Sequence, residues 1–511
     1  MSNNDKSTTP TWKLYNRPWY VKFIYGVGDY FKNVGLMIWH VIKNIPFAIW
    51  RLICSVGLCF QGLWLRFKNG DWRTRVSYLI MGFGSFSRSP KQIVKGVLWL
   101  AVEVLFIVYM IFIGGPNLWM MGSLGDVASV KDVIGTRYVH NSLQILLFSV
   151  LTLLIMVFFV YMWIKYTKIA YNTQKQVESG KPLSGFKSQL NYALNDGYHV
   201  TVLALPILGV LIISVLPLLV NILVAFTNYD FFHSPPGELF DWVGFESFVN
   251  VFSRSYGTAL WSVLGWTLVW AVFATFTNFF FGMFLAMIIN KKSIKLKAFW
   301  RTCFVIVIAV PDFISLMMMS KFFSYNADEN FTGAFNHIIK QWFGIDANID
   351  WFGTVTDKVW NARIMVIVVN LWRGMPFTML STYGILMNIP EELYESSRID
   401  GAGPVRRFIS ITFPYIMFVM GPQLITTFTG NINNFNVIFF LTGGGPKMEV
   451  GSTLGRTDLL VTWLYKMTVD TSQPQYSNGA VLGLFMFFVS SFFALIVFNS
   501  SKSVKQEDTF Q

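Results

Sequence analysis

Residues 391–414, EELYESSRIDGAGPVRRFISITFP, form a charged insert between two long apolar runs. Glu391 opens it. Glu395, with the small residues Ser396 and Ser397, is followed after a gap of three by Gly401, and Asp400 stands just before that glycine. After a gap of nine comes Ile411-Thr412-Phe413-Pro414. Pro390 suits the first position of a helix, where its missing N–H would be unpaired anyway. Gly401 and Gly403-Pro404 break that helix. The spacing predicts a helix, a glycine turn, a second short helix, and re-entry into the membrane near Ile411. Spacing alone is equally compatible with an ordinary cytoplasmic loop carrying a surface helix.

Composition supplies the surroundings. The chain has 511 residues, 54% hydrophobic and only 13% charged, where soluble domains carry about 25% charged residues. A multi-span membrane protein is expected. Residues 1–96 hold fourteen Lys/Arg and three Asp/Glu, a net +11 of the chain's +13. Positive charge concentrated there, among aromatic residues, fits contact with an anionic cytoplasmic leaflet better than nucleic-acid binding. Residues 1–12 are polar and expected to be disordered. The apolar run Leu52 to Leu65 is shorter than the roughly 20 residues a span needs. It reads as an interfacial amphipathic helix, with a hairpin dipping into the membrane as the alternative. Cys54, Cys59 and Cys303 suggest neither a disulfide framework nor a metal site. No cleavable signal peptide is visible, so the first span is expected to serve as insertion signal.

Eight spans are predicted, at 94–113, 143–164, 199–225, 259–290, 298–320, 363–386, 412–440 and 478–499. Lysines 165, 168, 175, 181 and 187 follow the second span, and Lys291, Lys292, Lys295, Lys297 and Arg301 surround the connection after the fourth. Arg398, Arg406 and Arg407 follow the sixth. By contrast, 226–258 carries Arg254 against Asp230, Glu238, Asp241 and Glu246. The positive-inside bias therefore places both termini and residues 391–410 in the cytoplasm. Four regions follow: a basic interfacial segment 1–92, two spans with a cytoplasmic loop 93–198, a six-helix core 199–500, and a tail 501–511.

In the seventh span Thr427, Asn431 and Asn434 are spaced i, i+4, i+7 and share one helical face. Amides in hydrocarbon are costly unless partnered. They either hydrogen-bond to neighbouring helices or line a pathway for a hydroxyl-rich solute. Charges within spans are few: Glu103, Asp312 and Arg373. Lys95 lies about 12 Å from Glu103 along a helix, so a polar group on a neighbouring helix is the expected partner. Asp312 follows Pro311 and is expected to cap a helix after a proline kink. An ion-coupled secondary transporter would place carboxylates or histidines along its pathway, and these are scarce. A membrane scaffold would need no polar stripe. No Gly-x-x-x-x-Gly-Lys-Ser/Thr occurs, so no ATP site is expected in this chain. The five histidines lack metal-ligand spacing, and no nucleophile–base constellation argues for an enzyme.

The pattern of 391–414 resembles the EAA loop of ABC importer permeases: Glu-Ala-Ala, three residues, Gly, nine residues, Ile-x-Leu-Pro. Ser396 and Ser397 replace the alanines and Phe413 the leucine. The phrases IPEELYESSRIDGAGP, FNVIFFLTGGGP and TDLLVTWLY make the segment from about Leu371 to Tyr465 similar to the MalF-type maltose/maltodextrin permease subunits. The wider resemblance covers roughly residues 195–500. Weaker similarity to Gram-positive members begins near Val76-Ser77-Tyr78-Leu79-Ile80-Met81-Gly82.

That resemblance implies an all-α integral membrane protein of about eight transmembrane helices, with the type I ABC importer fold. It implies a multi-pass subunit of the plasma membrane, of Gram-positive type. The short 226–258 connection replaces the large outer domain of Gram-negative members. The implied partners are a second homologous, MalG-like permease subunit, two ATP-binding-cassette ATPases that bind ATP and Mg, an extracellular sugar-binding lipoprotein, and the lipid bilayer. The implied ATPase-coupling residues are Glu391, Glu395, Ser396, Ser397, Asp400, Gly401 and Pro414. The implied substrate-binding residues are Arg373, Gly374, Phe377, Thr427, Gly430, Asn431 and Asn434. Gly430 stands where the family has an aromatic that stacks on sugar, and Phe377 where it has a tyrosine. Trp372 or Phe428 is the expected substitute platform. Maltose or maltodextrin is the leading substrate, with galactoside or raffinose-type oligosaccharides as alternatives.

Overall fold

A computed structural model describes residues 43–500 apart from 45, 48–49, 52–53, 133–134, 184, 255, 292, 326–332, 345–348, 354–357 and 449–452. The polar stretch 1–12 and the tail 501–511 lie outside the described residues. Long helices dominate, as expected. Among the described residues seven are long and apolar enough to cross a membrane, and a bent pair makes eight where it counts as one span. In chain order they are α1 (Pro90–Met120), α2 (Ser142–Glu178), α3 (Tyr198–Val224), α4 (Gly257–Asn290), the bent pair α5 (Lys297–Ala309) and α6 (Asp312–Phe322), then α8 (Val359–Met387), α10 (Pro404–Ile432) and α13 (Tyr476–Ser500). Shorter helices lie between them: α7 (Ala334–Phe343), α9 (Glu391–Ile399), α11 (Phe435–Leu441) and α12 (Leu460–Thr468). A two-stranded antiparallel hairpin, β1 (Ser129–Asp132) with β2 (Gly135–Tyr138), was not expected from the sequence.

Two predicted spans differ in shape. The fifth is broken: α5 and α6 meet at 94° across Val310-Pro311, because Pro311 cannot donate the N–H that would continue the first helix. The seventh ends at Ile432, with Asn433 and Asn434 separating it from α11. At its other end, the expected short helix after Gly403 is not separate. Residues Pro404–Arg407 run through a π turn at Phe408–Thr412 into the span.

The chain divides into two compact units, Met1–Gly122 with Leu143–Leu219 and Ser123–Ser142 with Val220–Gln511. In the first, helical turns at Trp72–Val76 and Phe83–Phe86 pack on α2, with Met81, Tyr166 and Ala170 fully buried. Arg88 pairs with Asp71 and donates to the carbonyls of Gly84 (2.8 Å) and Ala170 (3.1 Å). Trp163 Nε1 donates to the Tyr78 carbonyl at 3.0 Å. Glu103 accepts the backbone N–H of Met81 at 2.7 Å; its partner is this tight segment rather than a neighbouring helix. Residues 54–68 are helical and expose Leu58, Phe60 and Trp64.

In the second unit, α4 is the central element. Trp266, Trp270 and Ala274 pack with Leu316, Val366, Val369, Val437 and Ile438. One end of that core is closed by residues 443–448 and 453–466. Lys466 and Asp458 form a buried pair at 2.7 Å, and Asp458 also accepts from Gly455 N and Thr462 Oγ1. Burial pushes the Asp458 carboxyl up, and Lys466 with these donors pulls it back part of the way. The pair holds the Gly443 turn, since Lys466 also donates to the Gly443 carbonyl at 2.6 Å.

Helices α4 and α8 touch through glycines. A Cβ on Gly282 would come within 2.7 Å of Thr378 Cβ and 2.8 Å of the Met375 carbonyl, and a Cβ on Gly374 would collide with the Asn278 amide. Small residues permit such approach in membranes, where packing must replace the hydrophobic drive. Gly282→Leu is therefore expected to destabilise the bundle by about 1–3 kcal/mol through overpacking. Thermal unfolding of the purified protein in nanodiscs measures this.

Candidate functional site

The glycine contact leaves a cleft beside it. Side chains from α4, α5, α6, α8 and α10, with Asn434 just beyond α10, enclose a cavity of about 260 Å³. Arg373, Gly374 and Phe377 of α8 line it, and so do Thr427, Asn431 and Asn434. Six of the seven substrate residues expected from sequence therefore meet in one place. Gly430 does not line the cavity; it is exposed, and a Cβ built on it meets nothing within 4 Å. A helical step of 100° separates it from Asn431, which turns it off the lining face. The expected aromatic platforms are also elsewhere. Phe428 packs edge-on against Phe493 at 5.8 Å, and neither it nor Trp372 lines the cavity. The lining aromatics are Phe279, buried, and Phe377, which is more than half exposed.

The asparagines divide the two readings of the polar stripe between them. Asn431 is buried and donates to Thr275 Oγ1 on α4 at 3.0 Å, while its carbonyl accepts from Trp270 Nε1 at 3.2 Å. It is an interhelical link that also faces the cavity. Asn434 is not in a helix interior. It caps α11, accepting from Val437 N at 3.3 Å, and donates to Asn431 Oδ1 at 3.3 Å. The outlying Asn433 links to Ser490 of α13 at 3.1 Å.

Three lining amides were missed in the sequence reading: Asn278, Asn370 and Gln423. Asn278 and Asn370 are buried on α4 and α8, and Asn278 Oδ1 and Asn370 Nδ2 have no hydrogen-bond partner. Only the glycine at 374 and the pairing of α4 with α8 bring them together; 92 positions separate them in sequence. The expected role of Asp312 also changes. It does not cap α6; it meets Arg373 side-on, with Nε to Oδ1 at 2.9 Å and Nη2 to Oδ2 at 2.8 Å. The bend at Pro311 carries the carboxylate to α8. The cavity thus offers amides, hydroxyls and one ion pair on an apolar frame, the make-up of a site for a hydroxyl-rich neutral solute.

Of the charged stretch, the first helix and the glycine turn form as the sequence suggested. Helix α9 carries Glu391 and Glu392 in its first turn and Arg398 in its last, each complementing the helix dipole. Glu395, Ser396 and Asp400 are exposed, and Ser397 Oγ donates to the Tyr394 carbonyl at 2.8 Å. Gly401 takes φ +71, a left-handed conformation that glycine adopts without penalty. Pro414 is exposed within α10. The Tyr394 hydroxyl meets Thr412 Oγ1 at 2.9 Å and ties α9 to the foot of α10. Beside Glu395, Leu393, Ile399 and Val405 are exposed.

A bundle of membrane helices around a polar cavity, with a patterned loop at one end, defines a transport permease rather than an enzyme. Residues 278–504 match the family model described as binding-protein-dependent transport system inner membrane component, which encloses most of the cavity and all of the loop. The galactooligosaccharides transport system permease protein GanP of Bacillus subtilis is 36% identical over 431 residues, covering 84% of this chain and 97% of that one. The maltodextrin transport system permease protein MalC of Streptococcus pneumoniae is 33% identical over 433 residues, covering 84% and 96%. The maltose/maltodextrin transport system permease protein MalF of Klebsiella aerogenes is 32% identical over 257 residues, covering 50% and 48%. The chain belongs to the binding-protein-dependent permease family of ABC importers, and is a multi-pass protein of the cell membrane.

The lining amides separate stability from function. Asn370→Leu is expected to leave stability at or above that of the wild type, because a buried unpartnered amide costs about 1–3 kcal/mol. Asn431→Leu, which breaks two links, is expected to lower it by a similar amount. Scanning fluorimetry of the two variants distinguishes them.

Proposed function

We propose that this chain is the sugar-translocating subunit of an ATP-driven oligosaccharide importer, with the polar cavity as the transit site. The observation that carries the reading is the convergence of Arg373, Gly374, Phe377, Thr427, Asn431 and Asn434 on one cavity. Ring hydroxyls exchange water for amide and hydroxyl partners, and Phe377 presents an aromatic face for sugar C–H groups. At about 260 Å³, below the usual ligand-pocket range of about 300–1,000 Å³, the cavity suits one end of an oligosaccharide. Gly430 contributes room outside it rather than contact.

Maltodextrin is the favoured cargo, supported by the similarity to MalC and MalF. Galactooligosaccharide is the second reading. The similarity to GanP supports it, as does the missing stacking aromatic at Gly430.

Transport requires a second homologous permease subunit, two ATPases that hold ATP and Mg, and an extracellular sugar-binding lipoprotein. Helix α9 and Gly401 form the docking element for an ATPase. Glu395 meets a basic group there, and Leu393, Ile399 and Val405 supply apolar contact. This role puts 391–414 and both termini in the cytoplasm, in agreement with the lysine and arginine distribution. ATP binding biases a two-state bundle, so these contacts must differ between states. The basic segment 1–92 rests on the inner leaflet, 93–198 and the core 199–500 cross the membrane, and 501–511 is a cytoplasmic tail.

Reconstitution with the partner subunits tests the function: uptake of labelled maltotriose or galactotriose is expected only with ATP and the binding protein. Uptake driven by an ion gradient without ATP would refute it. Charge reversal by Glu395→Lys is expected to lower sugar-stimulated ATP hydrolysis about tenfold or more and to weaken co-purification of the ATPase. Wild-type values of both would remove Glu395 from the coupling.

A further inference from the structure

Among the described lining residues Arg373 is the only cation and Asp312 the only carboxylate. Their side-on pairing fixes the plane of the guanidinium. Of its five N–H donors, Nε and Nη2 each give one to Asp312, which leaves three for a ligand. The carboxylate accepts these two and has lone pairs to spare. The side chains are 25% and 42% exposed, so the unused groups can be reached from the cavity. The remaining polar lining is uncharged, made of Thr275, Thr378, Thr427, Gln423 and four asparagines. Whatever charge selectivity the cavity has therefore comes from this pair.

We propose that Asp312 is a specificity-determining residue. By neutralising and aiming Arg373, it makes an uncharged donor–acceptor fork that takes a vicinal diol of a neutral sugar and excludes acidic and amino sugars. The inference rests on the cavity being the sugar site. One hydroxyl of the diol donates to the carboxylate and the other accepts from the guanidinium. A uronate finds the arginine already neutralised and a carboxylate beside it, and an amino sugar meets the reverse. A lone arginine in this apolar frame would favour an anion, and a lone aspartate a cation. The break at Pro311 has a purpose on this account: a continuous helix would carry Asp312 past Arg373.

The test is equilibrium binding to the assembled transporter in nanodiscs without binding protein. The labelled probes are maltose, galactobiose, digalacturonate and the glucosamine disaccharide. The wild type is expected to prefer a neutral probe to both charged ones. Asp312→Asn is expected to lose about tenfold in that neutral affinity and gain about tenfold for digalacturonate. Arg373→Gln is expected to make the mirror-image gain for the glucosamine disaccharide, and either variant decides if the other fails to assemble. Asn431→Ala serves as the control for the site itself and is expected to lose neutral binding. Wild-type preference for a charged probe, or unchanged charged-sugar affinity in an assembled variant while Asn431→Ala loses neutral binding, overturns the role of Asp312 and leaves the site standing. Unchanged neutral binding in an assembled Asn431→Ala overturns the site.

Discussion

The contact between Gly282 and Gly374 and the opposing helices controls the geometry of the second unit. Lipid tails are as apolar as leucine, so two membrane helices gain little by hiding apolar side chains from them. Close backbone approach and polar links do the work instead. With no Cβ at 374, the Asn278 amide lies against the α8 backbone. That approach sets Asn278 and Asn370 at the cavity wall, and it holds Arg373 one residue away, where Asp312 can meet it.

Several polar groups elsewhere in this unit close on one another. Asn431 with Thr275, Trp270 with the Asn431 carbonyl, and Lys466 with Asp458 are links of that kind. Asn278 Oδ1 and Asn370 Nδ2 depart from it, and both face the cavity. An unpartnered buried amide costs about 1–3 kcal/mol. The fold bears that cost at the place where a hydroxylated solute would relieve it.

Hydropathy made the spans legible, since each needs an apolar run of a length the bilayer dictates. The patterned loop 391–414 was legible because its residues are consecutive. Periodicity put Thr427 and Asn431 on one face correctly, but it assumed a helix unbroken through Asn434, which caps the next one instead. The Arg373–Asp312 pair was out of reach: the partners stand 61 positions apart, and only a 94° bend at Pro311 brings them together. Gly430 was misplaced because resemblance carries a position, whereas the helical phase decides where it points. The packing of 71–88 on α2 was hidden for another reason. A dense cluster of arginines and aromatics reads as a surface, although Arg88 is buried by its acceptors.

The unbroken run from Pro404 to Ile432 has a mechanical consequence. At 1.5 Å per residue its 29 residues form a rod about 43 Å long. Its lower end leaves the glycine turn and is clasped by Tyr394 at Thr412, and its upper end carries Thr427 and Asn431. Tilting such a rod by about 5° about its middle moves each end by about 2 Å, enough to part a hydrogen bond. A handle at the turn and a grip at Asn431 would then share one lever. The π turn at Phe408–Thr412 with Pro414 next to it, and Pro422 further on, are where the hydrogen-bond ladder is irregular, and so where the stroke would be lost or redirected.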